Sequence, residues 1–333
     1  MGQSNNAVSA KVKQLSDKIL LILTLNTIFY ELPFILMFNM WYKRFIISIV
    51  LLLSAIPKPF AQDVQMQDRQ LLLYNIGFGI VTSGVGAVIN KPKGIKWTKA
   101  LLKGVAGGGL GGTLIYLSKK TNYMITKENN LGYAWPAKII HASGYSIIEN
   151  AARSKPLFKH WNIDIGPVRL DYSFEQKSEF RARFLPVVVY GIIMSNNRDG
   201  KFDWSTSLAT GCLSYKHKGD IIAGNSRLGG QCYGRAIIYG EYTNYSNYKI
   251  INHELIHIFQ FKEYEIFNSW TEPLTNKITN KTVRKIFTRY AYADIPYFSG
   301  FYALQDQLGQ HRYYSNLYEF EAEHFASYRY INR

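Results

Sequence analysis

Cysteine is nearly missing from this sequence: Cys212 and Cys232 are the only two in 333 residues. Neither belongs to a closely spaced pair, which excludes a zinc finger or ribbon built on thiolates. In an oxidising compartment they allow one disulfide at most. Carboxylates are scarce as well, 23 Asp and Glu against 39 Lys and Arg, a formal net charge of +16. That balance favours acidic partners. The basic residues are scattered, however, and no zinc-finger, glycine-rich phosphate-loop or RNA-binding signature accompanies them, so no nucleic-acid partner is expected. Internal repeats and low-complexity tracts are absent. The β-rich middle of the chain also falls short of the eight strands that a membrane barrel needs.

What is present begins near the N-terminus. "MWYKRFIISIVLLLSAIPKPFAQD", starting at Met40, has a basic Lys43-Arg44 pair, an uncharged run from Phe45 to Ile56 and a Pro-containing stretch ending in Ala61. This three-part layout is that of a secretory signal peptide, with cleavage expected after Ala61, although Pro59 fits the minus-three position poorly. No cysteine stands there to make a lipoprotein. Upstream, a second apolar run from Ile19 to Met37 is interrupted by Glu31 and Pro33. It is either a membrane helix or the by-product of translation that starts at Met40. Both alternatives make residues 1–61 a leader and the protein exported, to the cell envelope or the medium.

Residues 62–160 read as a glycine-rich apolar helical region. "LLLYNIGFGIVTSGVGAVI" (71–89) is long enough to span a bilayer, and "GVAGGGLGGTLIYL" (104–117) follows, bounded by Lys103 and Lys119-Lys120. Small residues at short spacing let helices approach closely. Two readings stand side by side: membrane association through 71–117, or a helical hairpin buried in a soluble domain. "WPAKIIHASGYSIIENAA" (135–152) has helical periodicity, and His141 within it reads as a packed or surface histidine. Residues 161–333 change texture. "VRLDYSF", "RARFLPVVVYGIIM", "DWSTSLATGCLSY" and "GRAIIYGEYT" are β-rich runs separated by turn signals, which predicts an antiparallel meander of four to six strands. Beyond 248 the chain reads as helical. The class expected is α+β: an apolar helical hairpin, a meander and a C-terminal helical part.

The chemistry concentrates in "INHELIHIFQF", residues 251–261. On a helix, His253 and His257 lie one turn apart and can reach one ion. Glu254 is rotated by about 100°, near enough to act on water without being a ligand. Ile251, Leu255, Ile258 and Phe259 form a core-facing stripe, leaving the histidines toward a cleft. A catalytic zinc needs a third protein ligand, and "EFEAEHFA" (319–326) offers Glu319. One turn later Glu323 can accept a hydrogen bond from a ligand histidine and fix its ring. A proton donor or oxyanion stabiliser is expected among His311, Tyr313, Tyr314 and His324, with Arg312 beside them.

The pairing of "HELIH" with "EFEAE" 62 residues beyond His257 resembles the gluzincin branch of zinc metallopeptidases, over about residues 235–330. The resemblance implies one Zn²⁺ held by His253, His257 and Glu319, with Glu254 as general base. Glu323 stands where that branch has Asp. It also implies a peptide or protein substrate, and the strand near 234–243 is expected to be the sheet edge that aligns an extended peptide. The rival expectation is a non-catalytic envelope or membrane protein with a structural zinc.

Overall fold

A computed structural model describes residues 68–174, 178–223, 226–240, 246–275, 279–308 and 316–326. The chain divides into two units, 1–58 and 59–333, and all of the described residues belong to the second. The leader, the Lys43-Arg44 pair, the 19–37 run and the cleavage position lie outside the described residues, as do His311, Tyr313 and Tyr314.

The architecture is mixed α+β, as the sequence predicts. It opens with three helices: α1 (Asp68–Ile89), α2 (Trp97–Glu128) and α3 (Ala134–Ala152). The 104–117 run is thus the middle of one continuous helix of 32 residues. Asn129 stops that helix in the left-handed conformation, φ 47°, where its N–H caps the Ile125 carbonyl. By length and composition, α1 and α2 are each apolar enough to cross a membrane. Their glycines explain how the bundle closes. A Cβ on Gly108 would stand 2.2 Å from the Gly79 carbonyl oxygen of α1, and one on Gly111 2.5 Å from the Gly144 oxygen of α3. Backbone meets backbone at both places, which only glycine permits.

The strands differ from the expected single meander. A three-stranded antiparallel sheet is formed by β1 (His160–Ile165), β2 (Val168–Ser173) and β3 (Glu179–Phe184). The following apolar run is not a strand but α4 (Val187–Asn197), which begins behind Pro186 and buries Val188, Gly191 and Ser195. β4 (Lys201–Phe202) precedes α5 (Trp204–Thr210), which is capped by the Asp203 side chain. Next come β5 (Leu213–His217), the short hairpin β6 (Ile221–Ala223) and β7 (Ser226–Leu228), then β8 (Gly230–Tyr233) and β9 (Ala236–Gly240). The second sheet has the order β4-β5-β9-β8, with β5 and β9 parallel. Consequently β9 is interior and the edges are β4 and β8, which corrects the expectation that 234–243 supplies the edge.

The helical C-terminal part holds α6 (Asn247–Tyr264), α7 (Asn268–Thr275), α8 (Lys281–Lys285), α9 (Tyr297–Leu308) and α10 (Leu317–Ala326). Every residue of α6 from Ile250 to Tyr264 is buried, between the apolar helices, the second sheet and α10. Ile256 and Phe259 join Leu71, Tyr116 and Phe325 in one core cluster, while Ile251, Leu255 and Ile258 join Ile237 and Tyr239 in another. The sequence reading of one apolar stripe therefore becomes a helix with core on more than one side. Polar residues inside such a helix must find partners or a ligand.

Candidate metal centre

α6 places His253, Glu254 and His257 on adjoining positions, and α10 packs against it and brings Glu319 alongside. The Nε2 atoms of His253 and His257 are 3.1 Å apart. Glu319 lies 3.2 Å from His253 Nε2 and 3.4 Å from His257 Nε2. One ligand atom from each of the three residues falls within 4.8 Å of the others, and all three residues are buried. His253, His257 and Glu319 therefore form a group able to bind a metal ion.

The groups behind the ligands fit that role. Gln260 donates its Nε2 to the Tyr318 carbonyl at 3.0 Å and to Glu321 at 2.9 Å. Two acceptors on that side fix the amide, so its Oε1 faces His257 Nδ1 at 2.8 Å. Nδ1 then carries the proton and donates it, which leaves a lone pair on Nε2 pointing into the cluster. At His253, Glu323 stands 3.6 Å from Nδ1 and is held in turn by Lys249 at 2.7 Å. Glu323 thus stands beside His253 at ion-pair distance. Tyr302 of α9 donates its hydroxyl to Glu319 at 2.6 Å.

Charge gives a second test of fit. Glu254 and Glu319 are both buried, and no Lys or Arg pairs with either among the described residues. Burial works against charge on His253, but its interactions with the acceptor carboxylates of Glu319 and Glu323 outweigh it and hold the imidazole up at about 10. His257 is raised in the same sense, against burial, by Glu319. Burial opposes charge on Glu319 too, yet the two histidines hold it well below the usual carboxylate range. Without an ion, then, the cluster satisfies itself by taking up protons. Two carboxylates beside two neutral imidazoles suit one dication, which would displace those protons.

A cavity of about 760 Å³ opens on the cluster, lined by His253, Glu254, His257, Tyr302, Glu319 and the edge strand β8. Glu254 takes no part in the ligand group. Burial pushes its carboxyl above the ordinary range, with His253 and His257 pulling the other way. It sits against the edge strand: a Cβ on Gly230 would come 2.8 Å from Glu254 Oε1. Glycine at 230 is what lets the edge lie over this carboxylate.

The structure does not bring every sequence candidate here. His324 does not line the cavity; its Nε2 lies 3.3 Å from Asp68 Oδ1 on α1. The cause is helical phase, since Glu319 and Glu323 share a face and His324 is rotated off it. His141 is packed, as expected, with Nε2 3.2 Å from Glu263 and its ring stacked on Phe259. Cys212 and Cys232 are free thiols. Tyr302 and Gln260 were missed as site residues. Gln260 had a signal, because it stands three positions after His257 on the same helix face; Tyr302 had none beyond the aromatic character of its helix.

Comparison of the chain with known proteins finds no matching family model, no similar curated protein and no similar solved structure.

Proposed function

We propose that the protein is a zinc-dependent peptidase exported to the cell envelope. The observation that carries this reading is the convergence of His253, His257 and Glu319 beside a Glu254 that is buried, unligated and open to a cavity. Two imidazoles and a carboxylate are a donor set that zinc accepts, and three protein ligands leave a position free. Zinc bound there supplies Lewis acidity toward water and the scissile carbonyl. Glu254 takes a proton from water and passes it to the leaving amine, a task suited by a carboxyl whose pKa burial has raised. Tyr302 lines the same cavity, and its one hydroxyl proton, given to Glu319 in the ion-free cluster, would turn from Glu319 to donate to an oxyanion. The edge strand β8 offers unpaired backbone groups along the cavity, to which an extended peptide can add as a further strand. The resemblance of "HELIH" and "EFEAE" to gluzincins points the same way. Export rests on the leader-like residues 40–61.

The test pairs metal analysis with hydrolysis. The purified protein is expected to carry one zinc per chain, to cleave members of a mixed peptide library, and to lose cleavage when dialysed against a chelator. Tight binding of one zinc with no cleavage of any peptide would replace this reading with a structural zinc.

A further inference from the structure

The bundle has a face that the metal centre does not use. On α2, Leu102, Leu110 and Leu117 are 68%, 45% and 44% exposed. They recur at intervals of eight and seven residues, so with Ala106, Gly109 and Thr113 they make one outward stripe of the helix without a charge. α1 continues it. Leu73 is exposed, nothing stands within 4 Å of a Cβ placed on Gly77, and a Cβ on Gly109 would touch the Ile80 side chain of α1 at 3.8 Å. The same two helices turn their other sides to α3, α6 and α10, so among the described residues this is the face left uncovered.

The turn between α1 and α2 says which partner. Residues 91–99, "KPKGIKWTK", are all exposed and carry Lys91, Lys93, Lys96 and Lys99 around Ile95 and Trp97. No acidic residue occurs anywhere between Asp68 and Glu128. Lysines that reach lipid phosphates, a tryptophan at headgroup depth and an uncharged apolar stripe beside them are the three components of an interfacial membrane site. A second copy of this chain fits less well, since two such lysine clusters brought side by side would repel each other.

We infer that the α1–α2 face and its 91–99 turn form a docking surface for an anionic lipid bilayer. The helices lie in the plane of the interface rather than across it. From Leu102 to Leu117 the stripe measures about 22 Å at the helical rise, short of a hydrocarbon core of about 30 Å. The inner sides of α1 and α2 also carry Asn75 and Lys119 in a buried polar network with Glu263 and Glu321. Docking holds the metal-bearing half of the domain at the membrane surface. It does not depend on the peptidase reading, and its failure would leave that reading intact.

The experiment uses the full chain and vesicles of phosphatidylcholine, alone or with one third phosphatidylglycerol. Because other segments of the chain are apolar, the informative quantity is the difference between parent and variant. Replacing Lys91, Lys93 and Lys96 together by Glu should weaken partitioning to the anionic vesicles on the order of 10²-fold or more, at roughly fivefold per lysine. Raising salt should weaken the parent and spare the variant. Brominated acyl chains should quench fluorescence in the parent more than in Trp97→Phe, because Trp97 is 58% exposed at the first position of α2, beside the turn. All of these substitutions are at exposed positions, and unchanged melting temperatures confirm folding. Equal partitioning of parent and triple variant, or identical quenching with and without Trp97, would overturn the proposal. So would a dimer in solution that dissociates on Leu110→Gln, which would give this face to a second copy.

Discussion

One helix carries two buried clusters of charge, and they are built on opposite principles. Toward the C-terminal end of α6, Glu263 meets the fully buried Lys119 at 2.9 Å, and Lys119 also meets Glu321 at 2.9 Å and Asn75 at 3.0 Å. Burial works against the charge of Lys119, but Glu263 and Glu321 outweigh it and raise its pKa. Glu263 is lowered in return, with Lys119 overcoming its burial. Each group is answered by another group of the chain. Two turns earlier, His253, His257 and Glu319 answer one another through protons, and Glu254 has only those two imidazoles near it, with no Lys or Arg paired to it among the described residues. The first cluster is a network that the chain completes with a lysine; in the second no Lys or Arg pairs with Glu254 or Glu319 among the described residues, and it lines a cavity. A buried cluster that the chain completes by itself holds the fold, whereas one with carboxylates unpaired by Lys or Arg beside a cavity is able to bind an ion.

The sharpest way to break this contrast is to substitute in the second cluster. His257→Ala removes a ligand, and zinc and peptide hydrolysis should disappear together, because two ligands do not retain the ion in an open site. Glu254→Gln should keep one zinc per chain and lose about 10²–10⁴-fold or more in kcat. Zinc content and hydrolysis measured on both variants decide the matter. If Glu254→Gln lost its zinc, Glu254 would be a ligand and the division of roles made here would fail.

The completed cluster should respond in stability instead. Lys119→Met leaves Glu263 and Glu321 buried without their cation, a change that costs about 3–5 kcal/mol. At about 2–4 °C per kcal/mol for a domain of this size, the melting temperature should drop by roughly 10 °C. Saturating zinc should still bind at one per chain. An unchanged melting temperature would mean that the network is not holding the fold.

How much of this was legible beforehand follows from the range of each signal. The His253, His257 and Glu319 group able to bind an ion was legible because each part of its spacing is local: four residues within α6, and a short acidic block within α10. Helix α3 was legible from its period. The strand expectation for 187–194 failed because "VVVYGIIM" has β-branched residues that favour strands in isolation. In the fold, Gly191 lets this segment pack on the sheet as a helix, where a Cβ would meet the Tyr233 oxygen at 2.6 Å. Tertiary contact overrode propensity. Lys119 read as one of two polar residues closing an apolar run, yet only Lys120 keeps substantial exposure, while Lys119 is fully buried. Its partners lie 144 and 202 residues away, and no local pattern announces them.

A third cluster extends the comparison to pH. Glu149 receives Arg169 at 2.8 Å, Arg153 at 3.1 Å and the Asn162 amide at 2.9 Å. Burial alone would raise its pKa, but Arg169 and Arg153 outweigh it and bring it down to about 2 from 4.5. A carboxyl lowered in the folded state contributes stability that is complete above its unfolded pKa and is lost as pH falls through the folded value. The window is therefore pH 4.5 down to 2, and the contribution roughly 3 kcal/mol. Thermal melts across that window should show Glu149→Gln to be less stable than the parent near neutral pH and equal to it near pH 2. Parallel curves would remove Glu149 from the account.

The smallest expected effect tests whether the two clusters of α6 are joined. Gln260 faces both: its Oε1 accepts from His257 Nδ1, and its Nε2 donates to Glu321, which Lys119 also grips. Gln260→Leu keeps the approximate volume and removes both bonds together with the one to the Tyr318 carbonyl. Partners of this kind, set behind a metal ligand, typically contribute 10–100-fold in metal affinity, so the zinc Kd should rise by that factor while the fold persists. Lys119→Met should weaken zinc less, because it acts only by loosening Glu321. The two effects should not add, since both pass through the Glu321–Gln260 contact, and residues sharing one network show coupling of about 0.5–3 kcal/mol. Competition titrations of zinc for the parent, both single variants and the double variant give that coupling directly. Strict additivity would mean that the completed network and the metal centre are independent neighbours on one helix. Coupling would mean that the buried lysine, although it touches no ligand, helps to hold His257 in the tautomer that leaves Nε2 free for zinc.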